Sequence, residues 1–297
     1  MHNIVVAGGD SRDIWLCQML VKRGHQVKAW GIQAPGIAGY AINDPPPDVL
    51  IGPMTGIGED GWMQTLDGRV RLTEDFLSGM GAGALIAAGL IGPALVARCH
   101  TLQIRTVQYR LETSFMWLNA VPTAEGAIAA AIGKSGRTLF ERPIGIIGLG
   151  RVGLVLADRL NRYGAVPIIF ERSLDKRAMA RALGLQSYAL EDERRPFLDG
   201  VFNTAPAPVL GPEWFGLDGP EWVIDLASIP GGLVQELRGA QYIADRYQQI
   251  LSLPGKVAPI RAAEIIWETL GLTLEEEWQD GPAAGSAHWS RNGGFPL

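Results

Sequence analysis

A chain of 297 residues, 47% hydrophobic and 19% charged, is long enough for two ordinary domains and too apolar for wholesale disorder. Its formal net charge of -5 supplies no basic stripe for a nucleic-acid backbone. Its two cysteines, Cys17 and Cys99, make neither a disulfide framework nor a four-ligand zinc site.

In chain order, Asn3–Ala7 is a short β-branched run ending at Gly8-Gly9-Asp10. Ser11 then opens a segment with Ile14, Trp15, Met19 and Leu20 at helical spacing, closed by Gly24. A strand follows at Gln26–Trp30, and further apolar runs at 48–51, 83–88 and 102–109 read as strands of the same parallel sheet. Pro45-Pro46-Pro47 and the glycine-rich stretch 52–61 read as loops. An alanine-rich helix is expected over 122–132, after which Ile144-Gly145-Ile146-Ile147 starts a second strand-turn-helix. Later strands are expected at Val166–Phe170, Gly200–Asn203, 222–226 and 241–244, with a last helix over 258–270 and a polar tail beyond. The pattern predicts an α/β protein with two Rossmann-like, doubly wound parallel-sheet domains and a cleft between them. The expected division is an N-terminal α/β domain over 1–120, a crossing helix and linker over 121–140, a nucleotide domain over 141–257, a C-terminal helix over 258–275 and a tail over 276–297.

Cysteine usage fits a reducing compartment. The chain starts on a strand without a basic leader, and no apolar run reaches the length of a membrane span. A cytoplasmic protein with no membrane contact is therefore expected. Four histidines, at positions 2, 25, 100 and 288, share no motif, so no metal site is expected.

Gly148-Leu149-Gly150-Arg151-Val152-Gly153 follows an apolar strand and opens a helix, the context in which G-x-G-x-x-G holds a dinucleotide. The glycines permit a tight turn, close approach of a pyrophosphate, and close packing of helix on strand. Free N–H groups and the helix dipole favour the anion. Glu171, at the end of the next strand, stands where an acid accepts hydrogen bonds from the adenosine ribose; Arg172 and Ser173 offer donors for a 2′-phosphate. Asn203-Thr204-Ala205-Pro206, and the run from Asp225 through Leu226 and Ser228 to Gly231-Gly232, follow two strands at their carboxyl ends, where they can hold the nicotinamide ribose and carboxamide. The first turn, Gly8 to Arg12, lacks the third glycine and carries an acid, so it is a poor dinucleotide site. Arg12 there can hold a substrate carboxylate, or Asp10 and Ser11 simply cap the helix.

These segments, with Asn119-Ala120-Val121-Pro122-Thr123-Ala124-Glu125-Gly126 and Leu253-Pro254-Gly255-Lys256-Val257-Ala258-Pro259, resemble the family of the dipicolinate synthase A subunit of endospore-forming bacteria, in family order over nearly the whole chain. The resemblance implies oxidation of a dihydro- or hydroxytetrahydro-dipicolinate of the lysine pathway to pyridine-2,6-dicarboxylate during sporulation, and a flavoprotein-like second subunit. It tips the cofactor toward NADP(H), with NAD(H) the alternative, provided Glu171 turns outward and leaves Arg172 to the phosphate. Glu171 departs from the small residue expected there. No histidine lies in a matching piece, so Glu125, Asp225 and Lys256 are the proton-transfer candidates, and Arg12, Asn119, Thr123 and Ser228 the expected contacts of a small dicarboxylate. Two other readings stay open: a dehydrogenase of another small 2-hydroxy or amino acid, and a non-catalytic nucleotide-binding subunit. Homo-oligomerisation is also open.

Overall fold

The computed structural model describes residues 2–192 and 195–279, with side chains as far as residue 271. Its strands are β1 (Asn3–Ala7), β2 (Gln26–Trp30), β3 (Ala38–Gly39), β4 (Val49–Ile51), β5 (Trp62–Thr65), β6 (Gly68–Arg71), β7 (Leu85–Ala88), β8 (Arg105–Gln108), β9 (Pro143–Ile147), β10 (Val166–Phe170), β11 (Gln186–Tyr188), β12 (Gly200–Asn203), β13 (Trp222–Asp225) and β14 (Tyr247–Gln249). The helices are α1 (Ser11–Lys22), α2 (Glu74–Gly79), α3 (Pro93–Thr101), α4 (Thr113–Ser135), α5 (Arg151–Arg162), α6 (Leu174–Ala182), α7 (Leu253–Val257) and α8 (Pro259–Gln279).

Two parallel six-stranded sheets result, in the orders β3-β2-β1-β4-β7-β8 and β11-β10-β9-β12-β13-β14. The fold is α/β and Rossmann-like in both halves. Strand order reverses between β1 and β4 in the first sheet and between β9 and β12 in the second. These switch points open a crevice at the carboxyl ends of the strands, where ligands of such sheets sit. Helices α1 and α8 cover one face of the first sheet; Leu16, Leu20, Ile265, Ile266 and Leu270 meet Ile4, Val6 and Ile51 there. The other face packs on Phe76, Leu77, Leu95 and Cys99 from α2 and α3. In the second sheet, α4, α5 and α6 supply Ala124, Ala127, Leu156, Leu160 and Ala180 to one face. The opposite face is closed by Trp214, Phe215, Leu237 and Ile243, which lie in or beside 3-10 turns rather than α-helices.

Four elements differ from the sequence reading. Helix α4 spans 23 residues and passes through Pro122, which the composition places at a helix start; proline usually ends a helix, but burial of Phe115, Ala120, Ala124, Ala127 and Ala131 outweighs that preference here. By length and composition α4 is apolar enough to cross a membrane. It is instead shared between the two cores, Phe115 in the first and Ala124, Ala127 and Ala131 in the second. The strand expected at 241–244 is a 3-10 turn, and the edge strand is the polar run Tyr247–Gln249 just after it. The antiparallel hairpin β5–β6 interrupts the stretch between β4 and α2, and its Leu66 N–H donates to the Gly8 carbonyl at 3.1 Å. The tail expected from 276 begins as the end of α8 as far as Gln279; its remainder, with Trp289, lies outside the described residues.

Candidate functional site

At the second switch point the β9–α5 turn supplies a cradle for an anion. Gly148 adopts φ +87°, which favours glycine; a Cβ on Gly153 would lie 2.1 Å from the Gly148 carbonyl oxygen; and a Cβ on Gly150 would meet nothing within 4 Å. The third glycine therefore packs helix against strand, and the second leaves open space. Gly150 caps α5 without a side-chain hydrogen bond, so no cap side chain occupies the helix N-terminus. A cavity of about 310 Å³ lies over this turn, lined by Gly148, Gly150, Glu171, Arg172, Lys176 and Thr204 among others. These features fit the diphosphate of a dinucleotide.

Glu171 faces into this cavity rather than outward. Its carboxylate accepts N–H bonds from Leu149 at 2.8 Å and from Ser173 at 3.1 Å, and Lys176 Nζ lies 3.6 Å away. Burial pushes the carboxyl up, but the two N–H donors and Lys176 outweigh it and hold Glu171 below its ordinary range. The outward turn on which the NADP(H) expectation depends is thus absent, because rotating Glu171 away strips two backbone donors of their acceptor. Arg172 is exposed at the cavity wall, and Ser173 caps α6. Arg151 reaches back to α4, with Nη1 3.3 Å from the Met116 sulfur and its guanidinium 5.9 Å from the Trp117 ring. Val152 is half-buried in the first turn of α5. Thr204 Oγ1 donates within reach of the Ile147 and Gly148 carbonyls, both at 3.0 Å, and Ala205 lines the cavity.

Two expectations beside it require correction. Asp225, read as a proton-transfer group, is fully buried and accepts from Asn203 Nδ2 at 2.7 Å, Ala227 N–H at 3.0 Å, Gly232 N–H at 2.6 Å and the Tyr247 hydroxyl at 2.9 Å. Four donors engage the carboxylate and tie the β13 loop to its neighbours. Burial, reinforced by Asp225, pushes the Tyr247 hydroxyl upward. Asn203, read as a cofactor contact, is spent in the same lock: its Nδ2 also donates to the Ala205 carbonyl, and its Oδ1 accepts the Ala205 N–H at 3.1 Å. Gly231 and Gly232 serve this lock too, since a Cβ on either would strike Asp225 Oδ2 or Asn203 Nδ2. Leu226 donates its backbone N–H to Asn203 O and packs into the core, whereas Ser228 is exposed on the loop that follows.

The first switch point is closed to a dinucleotide. A Cβ on Gly9 would lie 2.8 Å from Pro53, and the N–H groups of Gly9, Asp10 and Arg12 are taken by Asp13 and Asp10 side chains. Asp10 caps α1 and also grips Arg12 Nε through both oxygens, at 2.8 and 3.0 Å. Asp10 therefore both caps α1 and pairs with Arg12, which is only 2% exposed and whose Nη1 is buried without a partner. Asn119 Oδ1 is likewise buried without a partner, while Thr123 Oγ1 is committed to the Asn119 carbonyl at 2.7 Å. Helix α7 closes over the turn: Ser11 Oγ donates to the Gly255 carbonyl, and a Cβ on Gly255 would fall 2.9 Å from Arg12 Nη2. Lys256, next in that turn, is exposed. Glu125 is not part of either site; it is exposed and lies 3.7 Å from Arg159, eight residues along α5 from Arg151, or about 12 Å at 1.5 Å per residue.

Sequence reasoning missed Asp13. Burial, then the Asp10 charge, raises its carboxyl to about 7 against the pull of the Gly9 and Asp10 N–H groups and Arg12. The three-residue spacing from Asp10 carried the signal, as a capping box, but not the burial. Among the described residues no cluster of side chains is arranged to hold a metal ion.

Known proteins share the fold and parts of the sequence. Residues 3–110 match the family described as the N-terminal domain of the dipicolinate synthase A subunit. The A subunit of Bacillus subtilis dipicolinate synthase is 26% identical over 286 residues, covering 92% of this chain and 96% of that protein. Over nearly its whole length the chain is similar to the dipicolinate synthase A subunit. The crystal structure of the same subunit from Bacillus halodurans superimposes with a TM-score of 0.76 at 25% identity, covering 91% of this chain and 97% of that one. A transhydrogenase structure from Sinorhizobium meliloti shares the fold at a TM-score of 0.60 and 16% identity, over 92% of each chain. The glycine cradle and the closed first turn thus sit at equivalent switch points of two similar sheets.

Proposed function

We propose that the protein is an oxidoreductase subunit that forms pyridine-2,6-dicarboxylate from a dihydro- or hydroxytetrahydro-dicarboxylate precursor, with a nicotinamide dinucleotide on the second sheet. The observation that carries this reading is the open cradle at Gly148, Gly150 and Gly153, found in a chain similar to the dipicolinate synthase A subunit. Arg151, Val152, Thr204 and Ala205 complete the cofactor's surroundings, and the bound oxidised nicotinamide would supply the hydride acceptor. The inward, hydrogen-bonded Glu171 supports NAD(H) over NADP(H), because an ionised acid accepts from a 2′-hydroxyl and repels a 2′-phosphate. Arg172 and Lys176 on the same wall are the groups an NADP(H) preference would have to use.

For the substrate, the spare Nη1 of Arg12 takes one carboxylate, and Lys256, beside the Gly255 that covers Arg12, offers a cation for the other. Asn119 and Ser228 complete the surroundings. Of the three proton-transfer candidates only Lys256 is both exposed and next to this turn. The protein works in the cytoplasm beside a flavoprotein-like second subunit. Residues 1–120 form the substrate-side domain and residues 141–257 the nucleotide domain.

The test supplies the pure chain with the dihydropyridine dicarboxylate and NAD+ or NADP+, with and without the second subunit, and follows ultraviolet absorption of the aromatic product. Product from the pure chain supports the reading. A second reading, a nucleotide-binding subunit whose partner performs the chemistry, draws on the commitment of Asp225 to structure; it predicts product only when the partner is added.

A further inference from the structure

The buried cluster Asp10–Arg12–Asp13 contains more polar capacity than the fold uses. Asp13 is 1% exposed; its Oδ2 accepts the N–H groups of Gly9 at 2.7 Å and Asp10 at 3.1 Å, while its Oδ1 has no partner. Arg12, one residue away, has its Nε held by Asp10 and its Nη1 unpartnered. A buried donor and a buried acceptor left unmade each cost the fold free energy, so their coexistence at a switch point indicates groups completed by a ligand. Asp10 itself is 31% exposed and connects the cluster to solvent.

The charges decide what that ligand is. With Asp13 ionised, two acids face one arginine and the cluster carries about one net negative charge; with Asp13 neutral, Arg12 is balanced by Asp10 alone. The other titratable groups facing Asp13 are Cys17 on α1 and Tyr109 after β8, both pushed upward by burial and by Asp13 and so neutral near pH 7. Asp13 is therefore the group free to change charge when an anion arrives. Resting on the reading that a dicarboxylate binds at Arg12, we infer that this cluster is a proton-coupled carboxylate site, in which filling the Arg12 position drives Asp13 to take up a proton. Burial already brings Asp13 to the edge of neutrality, so a nearby anion that moves its titration upward by more than about one pH unit makes it neutral through the physiological range. The consequence is a specificity device: the site accepts a dianion together with one proton and disfavours it as the medium turns alkaline.

Calorimetric titration of the full chain with pyridine-2,6-dicarboxylate, in buffers of different ionisation enthalpy, counts the protons exchanged. Wild type is expected to take up a substantial fraction of a proton near pH 7.5, and its affinity to fall up to roughly ten-fold per pH unit above 7, the slope of one linked proton. Asp13→Asn fixes the neutral state and should bind with no uptake and a flat profile from pH 6 to 8.5. Carbon-13 NMR of the Asp13 carboxyl provides a reading that does not depend on the variant folding: its titration should move upward in the presence of the dicarboxylate. Binding without proton uptake, or an unmoved Asp13 titration, overturns this inference and leaves the oxidoreductase reading intact. Failure of the dicarboxylate to bind at any pH overturns the substrate assignment and this inference with it.

Discussion

Replacing Glu171 with alanine tests which dinucleotide the second sheet selects. The carboxylate holds Leu149 N–H at 2.8 Å and Ser173 N–H at 3.1 Å and has Lys176 at 3.6 Å, so the substitution does three things at once. It removes a charged acceptor for the ribose hydroxyls, worth about 1.5–3 kcal/mol, or roughly 10- to 150-fold in NAD(H) affinity. It removes a negative charge that a 2′-phosphate about 5 Å away would feel at roughly 3 kcal/mol per unit charge, with an effective dielectric constant near 20, before further screening at this half-buried site. It also strips two backbone donors of their acceptor, which loosens the turn for both cofactors equally. The ratio of the two dissociation constants cancels that shared loss. Titrating NADH and NADPH into wild type and variant, the expected result is a wild type that prefers NADH and a ratio that swings toward NADPH by about 100-fold or more, the sum of the first two effects after solvent screening reduces them. A wild type that prefers NADPH, or equal losses for both cofactors, refutes the reasoning and returns selection to Arg172.

Asp13→Asn should flatten the stability profile between about pH 4 and 7. The folded carboxyl is raised from 3.8 to about 7, so the native state binds more protons in that window and wild-type stability falls as pH rises through it. The full effect is roughly 4 kcal/mol, read by urea unfolding of both proteins at pH 4.5 and 8; parallel profiles would contradict it. Asp225→Asn should destabilise by about 1–3 kcal/mol, because two of the four donors then face an amide N–H2 in place of an acceptor. Lost turnover with unchanged thermal stability would restore Asp225 to the chemistry. Glu125→Gln, on an exposed pair with Arg159, should leave turnover within about two-fold and stability within about 0.5 kcal/mol; a large loss of kcat would place Glu125 at the reacting ring. Gly153→Ala brings a methyl to 2.1 Å from the Gly148 carbonyl and should abolish dinucleotide binding in titrations; retained affinity would mean the cradle is not the cofactor site.

The strand-turn-helix around Gly148, Gly150 and Gly153 was legible because its requirements are local: strand, three glycines and helix lie within a few residues, and each glycine has a separate steric reason. The two sheets were legible for a similar reason, since parallel strands buried on both faces read as apolar runs such as Leu85–Ala88. The interiors of the sites were not. Asp225 and Asn203 look like open polar residues in sequence, yet they lock together across 22 positions through a contact that only strand pairing creates. The direction of Glu171 depends on the Leu149 N–H, equally remote in sequence. Asp13 reads as part of a helix start because capping is local, whereas its burial comes from the packing of the whole first half. Local propensity marks a boundary for α4 at Pro122, and burial on both sides of that residue overrides it.

The packing of α8 against α1 and the first sheet carries a consequence for how the chain is made. The nucleotide half is, in topological terms, an insert within the first unit, since the residues that close the first core, Ala263, Ile265, Ile266 and Leu270, are joined to the rest of that core only through everything between. During synthesis a nascent chain that has emerged as far as Val257 can complete the second sheet but still has one face of the first sheet partly bare. The N-terminal half, first out of the ribosome, is thus the last to finish folding, and a truncation before Pro259 should damage the Arg12 turn more than the dinucleotide cradle that lies nearer to the cut.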